Sequence, residues 1–135
     1  MDSLELFEFF IEGKNQNESH VLLHITEPAT ADEMKKGYFF AIVEMNQCSI
    51  TQIEHIQQLI DDLESGYYET DEHDLDSDSD AFEMTLEFLN KRSGQILSSN
   101  SEVHCIVGVV RDTHISFSYH GSPHAVVFYV QKDGL

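Results

Sequence analysis

In GYFFAIVEMNQ (37–47), seven largely apolar residues lead into a single carboxylate, Glu44. A strand that hands an acid to water at its C-terminal end can present an oxygen ligand to a hard divalent cation. It is also simply how a strand reaches solvent. A denser set of acids follows. Asp76, Asp78 and Asp80 stand at positions 1, 3 and 5 of a frame that closes at Glu87 in position 12, the spacing of a helix–loop–helix calcium loop. Position 6 is Ala81, where the sharp turn needs Gly, and position 8 is Glu83, where an apolar residue is usual. The helical pattern also starts at about Asp80, inside the frame. The plainer reading is a solvated acidic linker whose carboxylates favour the N-terminus of the next helix. Glu27, Asp76, Asp78 and Asp80 are therefore weak metal candidates only.

Other reactive residue types are plentiful but scattered. Four of the eight histidines, His104, His114, His120 and His124, fall near the C-terminus. No three of them converge with a carboxylate at zinc spacing, and no HExxH occurs. Ser122 in HGSPH lies beside two histidines, but there is no GxSxG elbow and no glycine-rich phosphate loop. Cys48 and Cys105 form no CxxC pair, so neither a disulfide framework nor a zinc knuckle is indicated.

The elements that must position these residues read as one α+β domain over 1–135. Stretches 4–12 (LELFEFFIE), 20–26 (HVLLHIT) and 37–44 read as three strands of an antiparallel meander, with ATADEMKKG as a loop before the third. The period then changes. Ile50, Ile53, Ile56, Leu59, Ile60 and Leu63 fall on one helical face, with Ser49 or Thr51 as cap and Gly66 as stop. A second helix is expected from about Asp80 through Leu97, carrying Phe82, Leu86, Leu89, Ile96 and Leu97 inward. Residues 69–79 form a flexible acidic loop between the helices, since acid, Ser and His cannot offset the entropy of ordering.

The period returns to two in 103–110, 113–120 and 124–130, with Arg111-Asp112 as the first turn. That turn would set Val109 opposite His114 and Val103 opposite His120, leaving His104 on the other side of the sheet. The layout is βββ-αα-βββ, about six strands with both helices packed on one face.

Composition bounds the partners. With 7 Lys plus Arg against 25 Asp plus Glu, the formal charge is −18. Such a surface repels phosphate backbones and anionic lipid, which leaves cations and basic protein segments. The acidic N-terminus is no secretory signal, and no apolar run approaches the roughly 18 residues of a membrane span. A cytoplasmic protein that makes no contact with nucleic acid or membrane is expected.

The order of elements resembles one family. An apolar strand ending in an acid, two helices, and a hairpin leading into HGSPHAVVFY and then KDGL look like the N-terminal half of the metal-dependent, type 2C-like (PPM) protein phosphatases. Phe40-Ala41-Ile42-Val43-Glu44-Met45 falls on that family's F-A-V-A-D-G strand. Gly121-Ser122-Pro123-His124-Ala125-Val126 falls on its G-D-S-R-A-Y segment, and Val103 to Arg111 takes the place of its G-T-T-A-V-V-A-like strand. The likeness covers about residues 20–135 and rests on pattern more than on identities.

The departures fall on the metal motifs. Where the family has the metal-binding Asp and its neighbouring Gly, this chain has Glu44 and Met45. The upstream R-x-x-N-E-D motif survives at best as Thr26-Glu27-Pro28, and the Asp of G-D-S is Ser122. Two-metal hydrolysis needs several carboxylates to hold the ions and acidify a bridging water. The resemblance therefore implies half of a phosphatase sandwich with a vestigial ligand position at Glu44, no cofactor, and a non-catalytic role in protein binding or regulation. It also implies the N-terminal module of a longer protein, its partner being another protein, a second copy or the rest of that chain. The alternatives are a divergent phosphatase fragment, which would need Mn²⁺ or Mg²⁺, and a stand-alone acidic interaction domain.

Overall fold

The computed structural model describes residues 6–7, 19–69, 102–122 and 125–126. Within them the chain runs β1 (Ser19–Ile25), α1 (Ala31–Lys36), β2 (Tyr38–Asn46), α2 (Ile50–Glu69), β3 (Glu102–Arg111) and β4 (His114–His120). The strands form one antiparallel sheet in the order β1-β2-β3-β4. Among the described residues the sheet thus has four strands, where the sequence reading expects six. Leu6–Phe7 and Ala125–Val126 are not in strands, and the rest of those two stretches lies outside the described residues. So do the second expected helix and all of the acidic run except Glu69, which closes α2 instead of opening a loop.

Side-chain alternation divides the sheet into two unlike faces. Phe39, Ala41, Val43 and Met45 of β2 point to one side with Cys105, Val107 and Val109 of β3, and all are buried. α2 covers this side with Ile56, Ile60, Leu63 and Tyr67, which complete the core. Ser49 caps the helix as expected, its Oγ accepting the Gln52 N–H at 3.2 Å while Gln52 Oε1 accepts the Ser49 N–H at 2.8 Å.

α2 does not stop at Gly66. A helical glycine costs about 1 kcal/mol against alanine, whereas burying one large apolar side chain contributes about 1.5–3 kcal/mol. The turn beyond Gly66 places Tyr67 in the core at 2% exposure. It is then fastened in place. Tyr67 Oη donates to the Lys36 carbonyl at 2.8 Å, and Tyr68 Oη donates to the Gly37 carbonyl at 2.7 Å and accepts the Phe39 N–H at 3.1 Å. Lys36, buried despite its charge, donates from Nζ to the carbonyls of Tyr67 (3.1 Å) and Tyr68 (2.8 Å). A cation on the last carbonyls of a helix meets both their hydrogen-bonding need and the negative end of the dipole.

α1 is a helical turn where a loop was expected. Thr30 Oγ1 accepts the Glu33 N–H at 3.2 Å, and the Glu33 carboxylate accepts the N–H groups of Thr30 (3.2 Å) and Ala29 (2.7 Å). This capping box is what delivers Lys36 to α2.

The β3–β4 hairpin turns through Asp112 and Thr113, with Asp112 at φ 49°. Its register sets Arg111 opposite His114, Val109 opposite Ser116 and Cys105 opposite His120. Relative to the expected pairing this is a slip of two residues, which leaves every side chain on its expected face. His104 does lie on the other side of the sheet from His114 and His120.

Candidate functional site

Glu44 is not at the end of its strand. β2 continues to Asn46, and Glu44 stands exposed with Val21 beside it on β1 and His104 on β3. Glu27 is exposed in the β1–α1 connection. The Thr26 N–H donates to the Phe39 carbonyl, so Glu27 sits past the other end of β2. Five residues of strand, roughly 16 Å at 3.3 Å per residue, separate Phe39 from Glu44. The two acids are not brought together. Asp76, Asp78 and Asp80 lie outside the described residues. Among the described residues no group of three or more His, Cys, Asp and Glu is arranged to hold a metal ion.

One carboxylate–imidazole contact exists elsewhere. His24 on β1 meets Glu64 on α2 through Nε2, and its ring stands edge-on to Phe39 with centroids 6.2 Å apart. The same nitrogen faces Thr26 Oγ1 at 3.4 Å. A relay in the manner of a catalytic triad uses the two ring nitrogens for two partners, base-orienting acid on one and nucleophile on the other. Here both partners meet one nitrogen, so the pair ties α2 to β1. Nearby, burial pushes the Tyr68 hydroxyl above its ordinary pKa, and the negative charges of Glu64 and Glu33 push the same way against the Phe39 N–H. Burial likewise raises Cys105, partly countered by a backbone hydrogen bond from His120.

Among the described residues, α2 packs on one face of the sheet only, and the second face carries a further apolar set. Reading across the register, Tyr38, Val110 and Ile115 form one row, and Ile25, Phe40, Gly108 and Phe117 the next. Leu23, Ile42, Ile106 and Tyr119 form a third, and Val21, Glu44 and His104 close the grid. Ile42 is 44% exposed, Phe117 47% and Tyr119 67%. Gly108 lets the aromatics lie close, since a Cβ there would come within 2.6 Å of Phe40 Cζ and 2.8 Å of Phe117 Cβ. Glu44 and, in the next row beside Ser19 and Asn46, Glu102 are the two carboxylates that the described strands place on this face, on a chain of net charge −18.

This face was visible in the sequence, though not as a site. YFFAIVEMN and EVHCIVGVV are near-continuous apolar runs, the signature of strands covered on both sides. The spare apolar set was readable as a demand for cover, but nothing in the residues says what supplies it. HISFSYH alternates cleanly, placing Ile115, Phe117 and Tyr119 on the open side.

No helix among the described residues is long and apolar enough to cross a membrane. No protein-family model, no curated protein and no solved structure matches the chain.

Proposed function

We propose that this chain is a non-catalytic, phosphatase-like domain that serves protein binding or regulation, with the open sheet face as its binding surface. The observation that supports this reading is that Ile42 of β2 and Ile115, Phe117 and Tyr119 of β4 are all exposed on one face of the sheet in an otherwise acidic protein. Large exposed apolar patches rimmed by charge mark interaction sites in soluble proteins.

Charge selects the partner. The described cations are already engaged: Lys35 with Asp32 at 3.5 Å, Lys36 with the α2 carbonyls, and Arg111 beside Asp112 at 3.9 Å. Exposed Glu44 and Glu102 on the sheet and Glu27 in the β1–α1 connection are left to set the field around the face. A protein segment with two or three apolar anchors flanked by Lys or Arg fits both the face and its rim. Opposite charge at a rim speeds encounter and makes it salt-dependent.

A random dodecapeptide library selected against the full chain tests this. Enrichment of apolar anchors beside Lys or Arg is expected, and it should vanish against Phe117→Asp. The phosphatase alternative has its own test in titration with Mn²⁺ or Mg²⁺ by calorimetry alongside turnover of an aryl phosphate. Tight binding of two ions, lost together with turnover in Glu44→Ala, would make Glu44 a working ligand and overturn the proposal.

A further inference from the structure

The open face is asymmetric along its strands. The row of Tyr38, Val110 and Ile115 and the row of Ile25, Phe40, Gly108 and Phe117 carry no charged residue. Both described carboxylates stand at the other end, Glu44 beside His104 and Glu102 beside Asn46, and both are exposed. They are diagonal neighbours on β2 and β3, an offset of about 7–8 Å that long side chains still bridge. The described cations lie elsewhere. Lys35 pairs with Asp32, Lys36 serves the last carbonyls of α2, and Arg111 lies beside Asp112, one residue beyond the Tyr38–Val110 row.

His104, next to both acids, does not cancel their charge. The Ser122 N–H donates to His104 Nδ1 at 2.9 Å. That bond needs a bare ring nitrogen, so the imidazole is neutral and carries its proton on Nε2. One end of the face therefore holds two carboxylates and no cation, and the rest is apolar.

A segment that arrives on the face of a sheet, instead of at its edge, has no strand backbone to pair with. Its own N–H and C=O groups must then be satisfied internally. An α-helix does this, as α2 does on the opposite face. The rows repeat every two residues, so the Ile42–Tyr119 row lies about 7 Å and the Phe117 row about 13 Å from Glu44. Helical residues four and eight positions from a given one are about 6 and 12 Å along the axis. The two spacings match.

Resting on the same reading of the face, we propose that the partner segment is an amphipathic helix laid along the strands in one orientation. Its Arg sits between Glu44 and Glu102, and apolar residues four and eight positions away sit over Tyr119 and Phe117. Arg suits the place better than Lys, because its planar fork can donate to two carboxylates at once.

The probe is an eighteen-residue Ala/Gln helix with one Arg and with Leu four, eight and eleven positions later. Its affinity for the full chain at low salt, by fluorescence anisotropy, is compared with that of the same peptide carrying Glu for Arg. The Arg peptide should bind about ten-fold tighter or more, and Glu44→Gln, Glu102→Gln should shrink that preference below about three-fold. Glu54→Gln, Asp61→Asn on α2 removes as much charge and should leave the preference intact. A preference that survives the first pair, or falls equally with the second, overturns the Arg subsite, while loss of binding in Phe117→Asp keeps the face as the docking surface. Binding of neither peptide overturns the helical occupant, and binding indifferent to Phe117→Asp overturns the face as well. Orientation is read on the wild-type chain, whatever the variants do. A nitroxide at the Arg end of the peptide should broaden the Val21 methyl signals more than those of Ile115. Equal or reversed broadening contradicts the proposal.

Discussion

Gly108 shows how closely one residue can be tied to a surface. Its missing side chain leaves room for Phe40 and Phe117, and a Cβ would also meet the Ser116 carbonyl at 2.6 Å. Backbone cannot swing away as a side-chain tip can. Gly108→Ala is therefore expected to cost on the order of 1–3 kcal/mol as an overpacked site, read as a lower denaturant midpoint with an unchanged slope. Glu44 should behave in the opposite way. It is exposed and distant from Glu27, so Glu44→Ala should change stability by about 0.5 kcal/mol or less. A larger loss would mean that its charge is used.

The two thiols should separate as clearly. Cys105 is 9% exposed and its pKa is raised by burial, and the thiolate is the reactive species. At pH 8 a maleimide followed by mass spectrometry should label half-buried Cys48 long before Cys105. Equal rates would show the β3 core face to be open.

Among the elements, the end of α2 is the place where local signals and packing disagree. Gly66 reads as a stop, and the helix passes through it because Tyr67, Tyr68 and Lys36 together outweigh one glycine. Lys36→Met keeps the aliphatic stem and removes the hydrogen bonds to the last carbonyls. A loss of about 2 kcal/mol is expected for charge-assisted bonds of this kind, or roughly 8 °C in melting temperature. Tyr68 adds a pH dependence. Its folded pKa lies above the ordinary value near 10, so folding favours the neutral phenol. Its stabilising contribution is complete below about pH 10 and declines as pH rises toward the folded pKa. Alkaline unfolding should begin near that pH, and Tyr68→Phe, although less stable at neutral pH, should lose that decline.

These elements also mark what was legible in the chain. β2, β3 and the apolar face of α2 announce themselves by period. α1 was announced too, by Thr30 and Glu33 at capping-box spacing, a signal easily read as loop in so short and polar a segment. The two-residue slip in the β3–β4 hairpin was not legible. Val, Ile, Ser and His satisfy both pairings, and the choice falls to a turn in which Asp112 takes a positive φ. Glu44 reads as a strand end because Glu resembles a boundary, whereas Met45 beyond it is fully buried and extends the strand.

At the scale of the whole molecule, one sheet carries two apolar faces and only one is covered by a described helix. A protein of net charge −18 repels its own copies and most anions, so its neutral face favours a partner that is apolar in the middle and basic at the edge. Binding should weaken as salt rises from low to physiological strength, since rim charges beyond about 8–10 Å are screened. Salt-independent binding would place all of the affinity in the apolar anchors.

The central claim is that the open face is where this domain meets its partner. The measurement is the affinity, by fluorescence anisotropy, of the best library-selected peptide for the wild-type chain, for Phe117→Asp, and for the α2 control Gln57→Asp on the opposite side of the sheet. A central anchor is worth about 2 kcal/mol or more, equivalent to roughly thirty-fold in Kd. Phe117→Asp should therefore weaken binding by about that factor or more, while Gln57→Asp changes it less than about three-fold. An affinity untouched by Phe117→Asp, or one that falls with Gln57→Asp instead, would contradict the account and move the binding surface to the helix side.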